Sequence, residues 1–248
     1  MKSNPMIRRA LDKNLVNSTD AMSIAGARNK SLALLGITAV CGIIAYLGLY
    51  SQLMNTGTGS FAVCNTVSVI SGLVGVGLVI FLATKPHLAD TLGMIYAVVE
   101  GIFVGSVTVA YGYYFDGVIS KAMILTLLAI IFTLLLYNEA PDLASKIRKG
   151  VQILTLTIFF AYILNLVFML FGAGNLFGGN SLLSIGISMF ITLVAIANLM
   201  LDYDNIVIGA RHRLPKYMES FFAVGLLVTV VWVYIEMLQL VAKMASRE

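Results

Sequence analysis

The chain has 248 residues, of which 59% are hydrophobic and only 11% are charged, and its formal net charge is +4. An average soluble domain is about a quarter charged, so this composition excludes an ordinary soluble protein and predicts an integral membrane protein. The small positive charge is accounted for by membrane topology and gives no reason to expect a nucleic-acid partner.

Runs of about 18 or more apolar residues predict membrane-spanning helices. The chain has seven such runs, and short segments rich in Gly, Asn, Thr or Pro separate them. In chain order they cover residues 31–53, 63–84, 88–111, 118–137, 151–172, 182–208 and 220–242. The pattern predicts an all-α bundle, with a seven-helix transmembrane domain over residues 31–248 and a basic segment over residues 1–30 before it.

The Lys and Arg residues predict which side of the membrane each loop lies on, because basic residues in short loops stay on the cytoplasmic side. If all seven runs cross the bilayer, every basic residue except Lys121, Lys243 and Arg247 lies on the same side as residues 1–30. The sequence therefore predicts a multi-pass protein whose N-terminus is cytoplasmic and whose C-terminus is outside.

Four carboxyl groups lie in or beside the apolar runs: Glu100, Asp202, Asp204 and Glu236. A charge in hydrocarbon costs several kcal/mol, so such acids usually mark an ion or proton path. No Lys or Arg lies in the middle of a run, so we expect some of these carboxyls to be protonated or to share a proton. Two other interpretations stay open: Glu100 as a protonated acid bonded to a neighbouring helix, and either aspartate as a helix-end residue reaching water.

Helical spacing separates the two aspartates. Asp202 and Asp204 are rotated by about 200° on a helix, so they cannot both face the same neighbour. Asn198, Asp202 and Asn205 share one stripe and form a polar seam, while Asp204 lies off that stripe beside Tyr203. We expect Asp202 and Asp204 to face different surroundings.

The remaining motifs point away from a metal enzyme. His87 and His212 lie in predicted loops, and no metal-ligand spacing such as HExxH occurs, so we expect no catalytic residues and no bound cofactor. The glycines at 72, 75 and 77 and the pair Gly101 and Gly105 lie inside spans, where they predict close helix packing.

Several segments resemble the Bax inhibitor family (transmembrane Bax inhibitor motif, YccA-like), and most strongly a bacterial branch of it. They are the segment Tyr203-Asp204-Asn-Ile206 in the sixth run, Leu201-Asp-Tyr-Asp204 followed by Leu214-Pro-Lys-Tyr-Met-Glu219, and Tyr234-Ile-Glu-Met-Leu-Gln-Leu240 in the seventh. The resemblance extends over about residues 20 to 245. It implies a location in the bacterial cytoplasmic (inner) membrane.

The resemblance also implies a pH-sensitive calcium leak, in which a pair of acids on the last two helices forms a latch controlled by protonation. Asp204 takes the sixth-helix position and Glu236 the seventh, with Asp202 and Glu100 as further acids of the ion path. Carboxylate oxygens suit calcium, so Asp204 and Glu236 are also expected to contact the transported ion transiently.

Two alternatives remain. One is an interaction protein that regulates a membrane protease or a stress and cell-death pathway, for which deletion of residues 1–28 should abolish partner capture and leave ion flux intact. The other is an intramembrane aspartyl protease, since Tyr203-Asp204 also resembles its sixth-helix motif. That enzyme needs Gly-x-Gly-Asp on the next helix, and Gly225-Leu-Leu-Val228 supplies no aspartate.

Overall fold

A computed structural model describes residues 21–56, 60–172, 174–175 and 177–247. Over these residues it contains seven helices that are long and apolar enough to cross a membrane. They are α1 (Ile24–Thr56), α2 (Ser60–Thr84), α3 (Ala89–Tyr114), α4 (Val118–Glu139), α5 (Pro141–Leu170), α6 (Leu182–Arg211) and α7 (Met218–Ala245). The all-α, seven-helix membrane protein predicted from the sequence is confirmed. The cytoplasmic N-terminus and the outside C-terminus stay predictions, and residues 1–20 of the basic segment lie outside the described residues.

Two helices begin earlier than the hydropathy pattern predicts. α1 begins at Ile24 rather than at residue 31, and α5 begins at Pro141 rather than at residue 151. A helix satisfies its own backbone hydrogen bonds in water as well as in lipid, so it need not end where the apolar run ends. The 30 residues of α5 span about 45 Å, against about 30 Å of hydrocarbon. The basic residues 146, 148 and 149, which fall between two of the apolar runs, therefore lie on the first turns of α5.

Exposed apolar side chains show where lipid covers the protein. Leu47, Ile131 and Phe160 are each more than half exposed, and many other large apolar residues on α1, α4 and α5 are exposed too. A soluble protein does not expose apolar surface on this scale, whereas a bilayer covers it. In contrast, 61% of the most apolar 18-residue stretch of α7 is buried inside the protein, compared with 11% of the corresponding stretch of α5. Polar groups on α7 are therefore enclosed mainly by protein.

The chain forms two compact units. The first comprises the described residues of Met1–Ala110 together with Asp202–Val228, and the second comprises Tyr111–Leu201 and the described residues of Thr229–Glu248. The first unit thus contains α1, α2, most of α3, the end of α6 and the start of α7. The second contains the last residues of α3, all of α4 and α5, and the remaining parts of α6 and α7.

In the first unit, small residues bring α1 and α3 close together. A methyl group on Gly101 would lie 2.7 Å from both the Cys41 Cβ and the Thr38 carbonyl oxygen, and one on Gly105 would collide with the Gly42 carbonyl. The Thr38 hydroxyl also donates to the Ala97 carbonyl at 3.0 Å. The close packing predicted for Gly101 and Gly105 is confirmed.

The glycines of α2 divide into two groups. A methyl group on Gly75 would lie 3.1 Å from the Glu100 Oε2 atom, and one on Gly72 would lie 3.3 Å from the Phe103 ring. Gly77 has nothing within 4 Å of that position among the described residues, so the packing role predicted for it is wrong. Gly72 and Gly75 face α3, whereas Gly77 is rotated away from it.

A polar network at one end of the first unit joins α1 to α7. The Glu219 Oε1 atom accepts hydrogen bonds from the Ser23 backbone N–H at 2.8 Å and from the Ser23 hydroxyl at 3.1 Å. The Ser23 hydroxyl in turn caps α1 by accepting the Gly26 N–H at 2.9 Å. Because a helix N-terminus leaves N–H groups unsatisfied and carries partial positive charge, the Glu219 carboxylate is well placed there.

Lys30 extends this network to α3. Its ammonium lies 2.6 Å from Asp90 Oδ1 and 3.7 Å from Glu219 Oε2, and the Ser220 hydroxyl donates to the same Asp90 oxygen at 2.5 Å. Asp90 and Glu219 lie in the first turns of α3 and α7, so one lysine bridges the start of both helices. The network holds the start of α1 against two other helices.

Candidate ion site around Glu236

Glu236 is the most enclosed of the four acids predicted from the sequence, since only 1% of its surface is exposed. Its Oε1 atom accepts two hydrogen bonds, one from the Tyr162 hydroxyl at 2.5 Å and one from the Trp232 indole N–H at 3.0 Å. Its Oε2 atom is buried and has no hydrogen-bond partner among the described residues. One oxygen is thus held by two donors, while the other can take a proton or meet an ion.

The helices explain this geometry. Trp232 lies one turn before Glu236 on α7, where i and i+4 side chains share a face, and this neighbour is predictable from the sequence. Tyr162 comes from α5, and its ring packs edge to face on Phe177 with centroids 5.1 Å apart. Tyr162, Phe177 and Trp232 all pack against an apolar cluster formed by Ile158, Ile191 and Val194. The two donors are therefore fixed in position by packing, not only by their bonds to the carboxyl.

A cavity of about 450 Å³ lies beside this carboxyl, and Tyr162 is one of its walls. Carboxamide groups, aromatic rings and one ammonium line much of the rest: Asn165, Asn175, Asn180, Gln239, Tyr111, Phe115 and Lys243. Water occupies about 30 Å³ per molecule in the liquid, so this space can hold an ion with its hydration shell. Tyr162 connects the cavity to Glu236, because its ring lines the one and its hydroxyl binds the other.

Lys243 is a charged residue that lines this cavity. Its ammonium donates to the Phe177 carbonyl at 2.7 Å and to the Ser188 hydroxyl at 2.7 Å. The sequence suggested only a basic residue near the outer end of the last helix, whereas the structure turns its side chain inward.

Glu100 occupies a different environment, in the first unit. It is 8% exposed, and Tyr96 lies one turn earlier on α3. Both side chains approach Gly75 of α2, which provides the space for the Glu100 Oε2 atom. The hydrogen bond from Glu100 to a neighbouring helix stays a prediction.

The sixth-helix residues lie near the end of α6. Asp202, Tyr203, Asp204 and Asn205 are partly buried and belong to the first unit, whereas Asn198 belongs to the second. The Asn198 amide donates to the Thr155 hydroxyl at 2.7 Å and to the Val194 carbonyl at 2.9 Å, which secures α6 to α5. Asp204 belongs to the first unit and Glu236 to the second. The latch between them stays a prediction.

Bound calcium at these acids also stays a prediction. Among the described residues, no group of three or more His, Cys, Asp or Glu side chains is placed to hold a metal ion. Calcium normally takes six to eight oxygen ligands, so any contact it makes at Glu236 would be completed by water, carbonyl or carboxamide oxygens.

Comparison with known proteins identifies the family. No curated protein and no solved structure matches the chain. The family model described as Bax inhibitor 1 like matches residues 4–246, essentially the whole chain. The match agrees with the motifs quoted from the last two helices and with the seven spanning helices. The chain therefore belongs to the Bax inhibitor 1-like family.

Proposed function

We propose that this protein is a pH-sensitive leak for cations, with calcium as the transported ion, in which protonation of Glu236 controls the flow. The observation that carries the proposal is the Glu236 carboxyl, with one oxygen bound by Tyr162 and Trp232 and the other without a hydrogen-bond partner. We place it in the cytoplasmic membrane of a bacterium, in line with the resemblance of its last two helices to a bacterial branch of the family. The proposal requires no covalent chemistry and no resident cofactor.

The latch follows from the strength of hydrogen bonds to a charged acceptor. Bonds from Tyr162 and Trp232 to a carboxylate are about twice as strong as bonds to a neutral carboxyl. A proton on Oε2 therefore weakens the hold of Glu236 on Tyr162, which is a wall of the cavity. Acidification is expected to release Tyr162 and increase the leak, whereas the charged carboxylate keeps it closed.

The other acids enter the proposal through the resemblance. Asp204 is assigned the partner position of the latch, and Asp202 and Glu100 are assigned accessory positions on the ion path. The uncharged polar residues Asn198, Tyr203 and Asn205 are assigned to the same path. Acidic side chains inside membrane spans are costly and usually mark an ion or proton path, which supports a role for the buried Glu100 and Glu236.

The test is calcium flux into proteoliposomes across a series of pH values. Glu236→Gln keeps the shape of the side chain but cannot ionise, so we expect a high leak that no longer depends on pH. Asp204→Asn tests the assigned partner and should reduce the pH response as well. Glu139→Gln is the matched control, because Glu139 is an exposed acid at the end of α4.

Two results would contradict the proposal. One is the absence of calcium flux through the purified wild-type protein at every pH. The other is a leak in Glu236→Gln with the same size and pH response as the wild type. Size-exclusion chromatography of each variant in detergent establishes that the comparison is between folded proteins.

A further inference from the structure

We propose that Lys243 is a tethered cation that sets the charge selectivity of the cavity beside Glu236. This inference rests on the proposed leak function and identifies a residue that limits the entry of divalent ions. It assigns to Lys243 a role distinct from that of Glu236 and of the hydrogen bond that Tyr162 donates to it.

The ammonium is fixed in place by two separate elements. Its partners are the carbonyl of Phe177, in the segment between α5 and α6, and the hydroxyl of Ser188, which is itself 3% exposed on α6. A lysine at a helix end usually extends to water, because its flexible stem and strongly hydrated head favour that arrangement. Here the head is instead held at the wall of a cavity that also contains amide groups.

Lys243 lies on the same side of α7 as the acid it influences. Glu236, Gln239 and Lys243 are spaced by three and four residues, which places them on one face, and Gln239 and Lys243 both line the cavity. Seven residues of helix separate the Cα atoms of Glu236 and Lys243 by about 10 Å along the axis. An ion that approaches Glu236 through the cavity therefore passes a fixed positive charge.

The consequence differs between monovalent and divalent ions. The Coulomb energy of an ion near Lys243 is proportional to the charge of the ion, so a divalent ion is repelled twice as strongly as a monovalent one. A factor of about 3 in the permeation of potassium then corresponds to a factor of about 10 for calcium, because the exponent doubles. Removing this charge should raise the calcium flux more than the potassium flux.

The alternative is that Lys243 has a purely structural role, because its two hydrogen bonds also connect the segment after α5, and α6, to α7. Three substitutions separate the two explanations. Lys243→Arg keeps the charge, Lys243→Gln removes the charge and keeps a donor for the Phe177 carbonyl, and Lys243→Met removes both. Ser188→Ala removes one of the two hydrogen bonds and leaves the charge of Lys243, so it is the matched control for the structural role.

The experiment measures calcium and potassium flux into the same proteoliposomes, at a pH where the wild-type protein leaks. If Lys243 acts through its charge, Lys243→Gln and Lys243→Met both raise the ratio of calcium to potassium flux by about threefold, while Lys243→Arg and Ser188→Ala keep the wild-type ratio. An unchanged ratio in Lys243→Gln overturns the inference and assigns the residue to the structural tie. A ratio that rises equally in Ser188→Ala overturns it too.

The same measurements distinguish a failure of this inference from a failure of the proposed function. If the wild-type protein leaks and Glu236→Gln removes the pH response, the leak stands whatever Lys243 does to the ratio. If the wild-type protein carries neither ion, both the leak and the selectivity assigned to Lys243 are wrong. Thermal unfolding of each variant in detergent excludes loss of fold as the cause of a changed ratio.

Discussion

The Tyr162 hydroxyl gives the sharpest test of how Glu236 is held. Tyr162→Phe keeps the ring that packs on Phe177 and removes only the hydroxyl, which lies 2.5 Å from the Glu236 Oε1 atom. The Trp232 N–H at 3.0 Å then remains as the one donor to that oxygen among the described residues. The substitution removes one of two bonds of the proposed latch while it changes little of the volume of the core.

The size of the effect follows from the strength of that bond. A hydrogen bond to a charged group contributes about 1.5–3 kcal/mol, and about 1.4 kcal/mol corresponds to a factor of ten in an equilibrium. If the bond is broken when the leak opens, Tyr162→Phe shifts the balance between closed and open forms by about 10- to 100-fold toward the open form. The leak at neutral and alkaline pH should rise accordingly, toward the level that the wild type reaches in acid.

The assay is calcium flux into proteoliposomes as a function of pH, with equal amounts of reconstituted protein. Tyr114→Phe is the matched control, since Tyr114 is 65% exposed and its ring contacts Tyr113 and Phe115. A folded Tyr162→Phe variant with the leak and pH response of the wild type would refute the reasoning. It would mean that the bond to Glu236 is present in both the closed and the open form.

Two further predictions concern the fold. Glu219→Ala removes the buried carboxylate that accepts two hydrogen bonds from Ser23, so we expect a loss of about 1–3 kcal/mol in the free energy of unfolding, measured by denaturation in detergent. Wild-type stability of this variant would contradict a stabilising role for the network at the start of α1. Gly101→Ala places a methyl group 2.7 Å from the Cys41 Cβ and should cost about 1–3 kcal/mol through overpacking. Gly77→Ala has open space at its position, and alanine favours a helix over glycine, so this variant should keep or raise the unfolding temperature. Equal effects of the two alanines would show that close packing is not what requires Gly101.

The number and approximate position of the helices were predictable because hydropathy reports directly on what a bilayer requires. Each span must satisfy its own backbone, so a long apolar run has few alternatives to a helix. The early starts of α1 and α5 were not predictable in this way, because those turns lie beyond the apolar runs. Two local signals could have located these starts. Ser23 caps the beginning of α1, and Pro141 lies in the first turn of α5.

The acids were predictable from composition, but their partners mostly were not. Trp232 follows from helical spacing, since it lies one turn from Glu236. Tyr162 is 74 residues from Glu236 along the chain, and Ser23 is 196 residues from Glu219, so no local pattern connects either pair. Such contacts depend on which helix faces pack together, and hydropathy alone does not contain that information when every face is apolar.

Lys243 shows the same limit for a charged residue. A lysine in the last turn of a helix is expected to interact with its own C-terminal carbonyls or with water. The structure directs it instead to a carbonyl before α6 and a hydroxyl on α6, next to the cavity. The partially buried position depends on the path of the chain between α5 and α6, where Gly172, Gly174 and Gly179 adopt positive φ angles.

The central claim, that protonation of Glu236 controls the leak, is tested most directly by observing that carboxyl. Infrared difference spectroscopy on reconstituted protein detects the carbonyl stretch of a protonated acid, and loss of one band in Glu236→Gln assigns it to this residue. We predict that the assigned band grows with acidification and has the same pH midpoint as the calcium leak measured on the same vesicles. A Glu236 band that stays constant across the pH range in which the leak changes would contradict the account.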